Sequence, residues 1–87
     1  MGIVVAPGQG GVVVAELRPG GRGAAAGLHQ GDTIVRYNGV AVSSVREFNR
    51  LVLDTRPGRR ATLEVQRSGS PRRLEVWVGQ LDTMPRT

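Results

Sequence analysis

The sequence predicts an α+β domain built mostly of strands: a small, partly open β-barrel or sandwich of five to six strands, capped by two helices. Three observations carry that expectation. Residues 27–39 read as turn, strand, turn, with Gly27 and Gly31 before the strand, Asn38-Gly39 after it, and Thr33 to Tyr37 between them. Ser44-Val45-Arg46-Glu47 has the spacing of a capping box and opens a segment whose apolar residues recur at helical period. Two alternating runs, Ala61, Leu63, Val65 and then Leu74, Val76, Val78, flank Ser68-Gly69-Ser70-Pro71 and read as a hairpin.

Taken in order, residues 2–6 form a short apolar strand, which Pro7-Gly8-Gln9-Gly10-Gly11 interrupts as a loop. Residues 12–17 follow as a second strand with Val13, Ala15 and Leu17 on one face and Val12, Val14 and Glu16 on the other, so it reads as largely buried. The chain turns at Pro19-Gly20-Gly21. Residues 22–28 have the means for one or two helical turns only, because Gly23 costs about 1 kcal/mol relative to Ala and no good N-cap precedes it. After the strand at 33–37, residues 40–42 make a small bridging strand. In the capping box, Ser44 accepts from the Glu47 amide and Glu47 returns a bond to the Ser44 amide. That helix runs to about Asp54 with Val45, Phe48, Leu51 and Val52 on its apolar face, and Pro57-Gly58 stops it. The hairpin strands span 60–67 and 72–79, the domain occupies 1–79, and 80–87 read as a linker or tail.

Eighty-seven residues support one small core, burying about 60 to 65% of the unfolded surface. Tyr37, Phe48 and Trp77 are the only aromatics, so the interior is built from Val, Leu, Ile and Ala. The absence of cysteine excludes disulfides and Cys-ligated metal sites. All twelve basic residues are Arg, and the formal charge is +5, but the arginines are scattered over turns and strands and form no basic stripe. Apolar runs such as 12–15 fall far below the roughly 20 residues of a membrane span, so direct membrane insertion is not expected. An export or anchoring segment, if the parent protein has one, is expected outside this sequence.

The run from Ala26 to Gly39 has the form A-G-L-x-x-G-D-x-I-x-x-x-N-G, which resembles the core signature of PDZ domains, particularly those of bacterial HtrA (DegP/DegQ-like) serine proteases. The resemblance implies a PDZ-like fold and a non-catalytic, peptide-binding module that captures apolar C-terminal peptides by β-strand addition. It matches Met1, Gly2, Ile3, Val4 and Val5 to the carboxylate loop and edge strand, with the amides of Gly2 and Ile3 holding the terminal carboxylate in a concavity of N–H groups. It assigns Val45, Asn49 and Val52 to the groove wall on the capped helix. Phe48, on the adjoining line with Leu51, completes the candidate residues. About four main-chain bonds and one buried aliphatic anchor correspond to micromolar or weaker affinity.

The parent implied is a larger bacterial protease, periplasmic or membrane-anchored, with this domain as its regulatory or substrate-recognition module. The implied partners are C-terminal peptides or unfolded protein segments, and a neighbouring protease or PDZ domain; no cofactor is implied. The family's Pro-Gly-Ser-Pro-Ala-Ala reads here as Pro19-Gly20-Gly21-Arg22-Gly23-Ala24, without the capping Ser and helix-starting Pro.

Three other readings compete. An enzyme needs a nucleophile, base and orienting carboxylate in one pocket, whereas the single histidine, His29, lies in a turn, Ser44 is accounted for by capping, and Asp32 reads as a turn acceptor. A nucleic-acid-binding barrel needs stacking aromatics along a basic groove, which Tyr37 and Trp77 alone do not make. A PDZ module for assembly or interdomain packing, in a secretion or membrane-associated protein, keeps the fold; Arg50, Arg59 and Arg60 would then meet an acidic partner.

Overall fold

The structure, a computed structural model, describes residues 2–56 and 58–78. Its elements are β1 (Ile3–Gly8), β2 (Gly11–Leu17), α1 (Arg22–Ala25), β3 (Thr33–Tyr37), β4 (Val40–Ala41), α2 (Val45–Asp54), β5 (Arg59–Arg67) and β6 (Ser70–Val78). All pairings are antiparallel, in the order β1-β2-β3-β5-β6 with β4 added on β3, and the sheet does not close. Strands β1 and β6 are therefore its two edges.

Turn chemistry sets two of the connections. Asn38 and Gly39 join β3 to β4 with φ of 51° and 83°, and Ser68 and Gly69 join β5 to β6 with φ of 52° and 81°. Positive φ at both central residues matches the right-handed twist of the strands they connect. At Gly11, where β2 begins, the demand is for space: a Cβ there would lie 2.1 Å from the Ile34 carbonyl oxygen. The core fills the concave side of the sheet with Val12, Val14, Ile34, Leu63, Val65 and Val76, each at most 1% exposed, and α2 lays Phe48 onto it.

Both prolines read as loop residues stand in strands. Pro7 pairs with Val12, so β1 continues to Gly8 and the turn shrinks to Gln9-Gly10; Pro71 pairs with Gln66, so the β5–β6 turn is only Ser68-Gly69. The reason is position, since an edge strand can point a residue without an N–H away from its neighbour. Strand β4 ends at Ala41, while Val42, expected in the strand, turns inward and is 2% exposed. Helix α1 is four residues long and its N-cap, Gly21, gives no side-chain bond. Pro57 and the expectations for Met1 and for 79–87 lie outside the described residues.

Ser44 caps α2 as expected, accepting from the Glu47 amide at 3.0 Å. Glu47, however, returns its bonds one residue further upstream, accepting from the Ser43 hydroxyl at 2.6 Å and the Ser43 amide at 2.9 Å, which together hold its carboxyl below the usual range. Ser44→Ala is expected to destabilise the domain by about 1 kcal/mol, read as a lowered urea midpoint with unchanged slope.

The loop before β3 is held from a distance. Asp32 is 1% exposed, and Arg67 at the end of β5 donates to both its carboxylate oxygens, from Nε at 2.8 Å and from Nη2 at 2.7 Å. The same Nη2 donates to the Gly27 carbonyl at 2.8 Å, and the His29 amide donates to Asp32 Oδ2 at 2.9 Å. The expected turn acceptor is thus also half of an ion pair joining the start of β3 to the end of its neighbour β5. The Arg67 bonds hold the Asp32 carboxyl below its ordinary value, outweighing the burial that pushes it up.

Candidate functional site

The hydrogen bonds of β2 determine which way β1 faces. Val14 receives a bond from the Gly31 amide and gives one to the Asp32 carbonyl, both 2.8 Å, so its main chain points to the β3 side and away from its β1 partner Val5. Arg18 donates to the Gly2 carbonyl at 2.8 Å, which leaves Ile3 and Leu17 as a pair that exchanges no bonds. With the alternation of a strand, Val4, Ala6 and Gly8 turn their amides and carbonyls to β2, while Ile3 and Val5 turn theirs outward and Pro7, which has no N–H, turns its carbonyl outward. A register shift between Val4 and Val5 accommodates Ala15 as an extra residue on β2, leaving the alternation along β1 intact. Among the described residues, no strand pairs with this outer edge.

Helix α2 lies across from β1, their Cα atoms approaching within 8 Å. Its two faces have different environments. Phe48 is 3% exposed and meets the Tyr37 ring edge-on, with centroids 6.0 Å apart and planes at 85°. Phe48 therefore belongs to the core, although it stood on the adjoining line among the candidate peptide-binding residues. Val45 and Val52 are half-buried against the core, and Asn49 between them is exposed. The three fall on one line at helical spacing.

On the strand, Ile3 and Val5 pack half-buried against the core and Val4, on the opposite face, is 53% exposed. Gly2 has φ of 77°, a left-handed conformation, and its α-carbon packs against Gly21; an added Cβ would come within 3.3 Å of Gly21 Cα. A hollow at the start of β1 is lined by Gly2, Ile3 and Val4 on one side and Glu16 to Pro19 on the other, so it flanks the carboxylate-loop position from the β2 side.

Two contributions to this site were not read from the sequence. Pro7 occupies an outward-facing register position; a Pro beside an apolar run was the available signal, and it was taken as the end of the strand. The second is a polar brace under the end of α2. Thr55 Oγ1 donates to the Leu51 carbonyl at 2.9 Å, which spends its one proton, so the hydrogen bond between the Tyr37 and Thr55 hydroxyls has Tyr37 as donor. Burial raises the pKa of that phenol. Nothing local connects residues 37 and 55.

Of the chemistry-bearing residues weighed above, His29 is exposed in its turn and Asp32 is committed to Arg67. Trp77 is 50% exposed under the Arg60 guanidinium, 5.1 Å from the ring centroid, and Arg60 also bonds Glu75 at 3.0 Å. Tyr37 is in the core, so the two aromatics share no face.

The family model for the PDZ domain matches residues 1–78. The chain belongs to the PDZ family. This PDZ domain is 39% identical over 71 residues to a protein of Hahella chejuensis named "Probable periplasmic serine endoprotease DegP-like", a match covering 82% of the chain and 15% of that relative. Among solved structures, "HtrA-type protease AlgW with decapeptide" superposes with a TM-score of 0.83 at 29% identity, over 90% of this chain and 28% of that one. The HtrA3 PDZ domain bound to a phage-derived ligand has the same fold, with a TM-score of 0.79 at 24% identity over 88% of this chain and 81% of that one. The PDZ domain described here thus spans about 15% of the length of the curated relatives that it matches.

Proposed function

We propose that this PDZ domain captures apolar C-terminal peptides by adding them as a strand along β1. The observation supporting it most directly is the outward-facing main chain of Ile3 and Val5 beside α2, with no strand of the described residues on that edge. Gly2 and Ile3 would receive the carboxylate, and Val45, Asn49 and Val52 would flank the guest's side chains. The AlgW structure, described with a decapeptide, supports the same reading. The names of its relatives support a periplasmic serine endoprotease as the parent, with this domain as the module that recognises substrates or regulates a neighbouring protease domain. Catalysis would then reside elsewhere in the parent.

The deciding contrast is between a free and an amidated C-terminus. Labelled peptides ending in Val or Ala are expected to bind with a Kd of micromolar or weaker, and amidation to weaken them by at least about tenfold, because hydrogen bonds to a charged acceptor contribute about 1.5–3 kcal/mol. Equal affinity for both forms would overturn the proposal.

A further inference from the structure

We infer that Pro7 limits the length of guest this groove reads, so that main-chain pairing is complete over about the last four residues of a peptide and is cut to a single bond at the fifth. The inference rests on the peptide-capture reading and sharpens it. Antiparallel strands exchange bonds at every second residue, so a guest on the outer edge meets Ile3, Val5 and Pro7 in turn. With its carboxylate at the Gly2 and Ile3 amides, the guest's last residue donates to the Ile3 carbonyl. The third residue from its end exchanges both bonds with Val5. The fifth arrives at Pro7, whose carbonyl still accepts from the guest's N–H but which has no N–H of its own, so the guest's carbonyl there finds no donor and one of the two bonds is lost. Val4, Ala6 and Gly8 offer no substitute, because their main-chain groups are committed to β2. Beyond Gly8 the chain turns at Gln9-Gly10.

Core packing does not account for Pro7, whose ring is exposed, and neither does a turn, since it pairs with Val12 inside β1. Proline on the open side of an edge strand limits how far another strand can extend the sheet.

The test is a series of free-carboxylate peptides sharing one Val-terminated sequence, from three to ten residues long, titrated against wild type and Pro7→Ala. In wild type, affinity is expected to rise up to four residues and then stay within about twofold. In P7A the four-residue peptide should bind as it does to wild type, whereas peptides of six or more residues gain about two- to tenfold, and the new amide at position 7 becomes protected from hydrogen exchange when they bind. Affinity that keeps climbing beyond five residues in wild type, as steeply as in P7A, would overturn the inference while leaving peptide capture intact. Absence of binding at every length, or indifference to amidation, would instead overturn capture itself. If P7A proves unstable, a wild-type series that climbs as much from five to seven residues as from three to four overturns the inference on its own.

Discussion

Replacing Arg67 by Met is expected to strip the Asp32 carboxylate of its ion-pair partner, to lower the urea midpoint at neutral pH, and to flatten the way stability responds to acid. In wild type the Arg67 bonds hold the Asp32 pKa below its unfolded value of 3.8. A carboxyl of lowered pKa contributes stability above the unfolded value and loses it as pH falls through the folded one, so wild type weakens below about pH 4. Without Arg67 the largest influence lowering the Asp32 pKa is gone, so the folded value moves back toward the unfolded one. The acid-induced loss of stability is then shallower in R67M, and its deficit against wild type is largest above about pH 4 and shrinks in acid. Urea unfolding between pH 3 and 7 reads both curves. Parallel curves for the two proteins would show that the pair does not control the pH response. Asp32→Asn is expected to cost less, because Arg67 is partly exposed and its head can turn to water.

Phe48→Ala is expected to destabilise the domain by about 3–5 kcal/mol, whereas Asn49→Ala, one position along, stays within about 0.5 kcal/mol of wild type. The contrast follows from burial: Phe48 fills the space between α2 and the Tyr37 ring, and Asn49 projects into solvent. Peptide titration separates the two further. N49A should change affinity for Val-terminated peptides at unchanged stability; F48A should weaken them because the wall is no longer seated. Equal destabilisation by both would mean that α2 is rotated about its axis relative to the arrangement described.

Local chemistry made most of the fold legible. Asn38-Gly39, the Ser44 cap and the alternation of Ala61, Leu63 and Val65 each act within a few residues, and the strand Thr33–Tyr37 and the helix Val45–Asp54 fall where those signals put them. The misjudged residues are those whose meaning depends on distant neighbours. Pro7 and Pro71 resemble loop residues until one knows that β1 and β6 are edges, which is a property of the whole sheet. Asp32 was legible as an acceptor for the His29 amide, but its partner lies 35 positions away and leaves no periodic trace. On the candidate site, helical spacing yields two adjoining lines on α2; which line faces inward is decided by the Tyr37 ring across the core, and spacing alone could not remove Phe48 from the candidate residues.

The two tethers of α2 have a consequence for how quickly a partner is recognised. Its first turn is bound to Ser43 and Ser44, and the residue after its last turn is bound through Thr55 to Tyr37 in the middle of the sheet. With its first turn capped against fraying and its last tied to the sheet, the helix behaves as a fixed beam and not as a swinging door, so under the proposed capture the ordering cost of association would fall mostly on the incoming chain. Weak affinity would then reflect rapid escape and not slow admission, as a sampler that tests many chain ends and retains few requires.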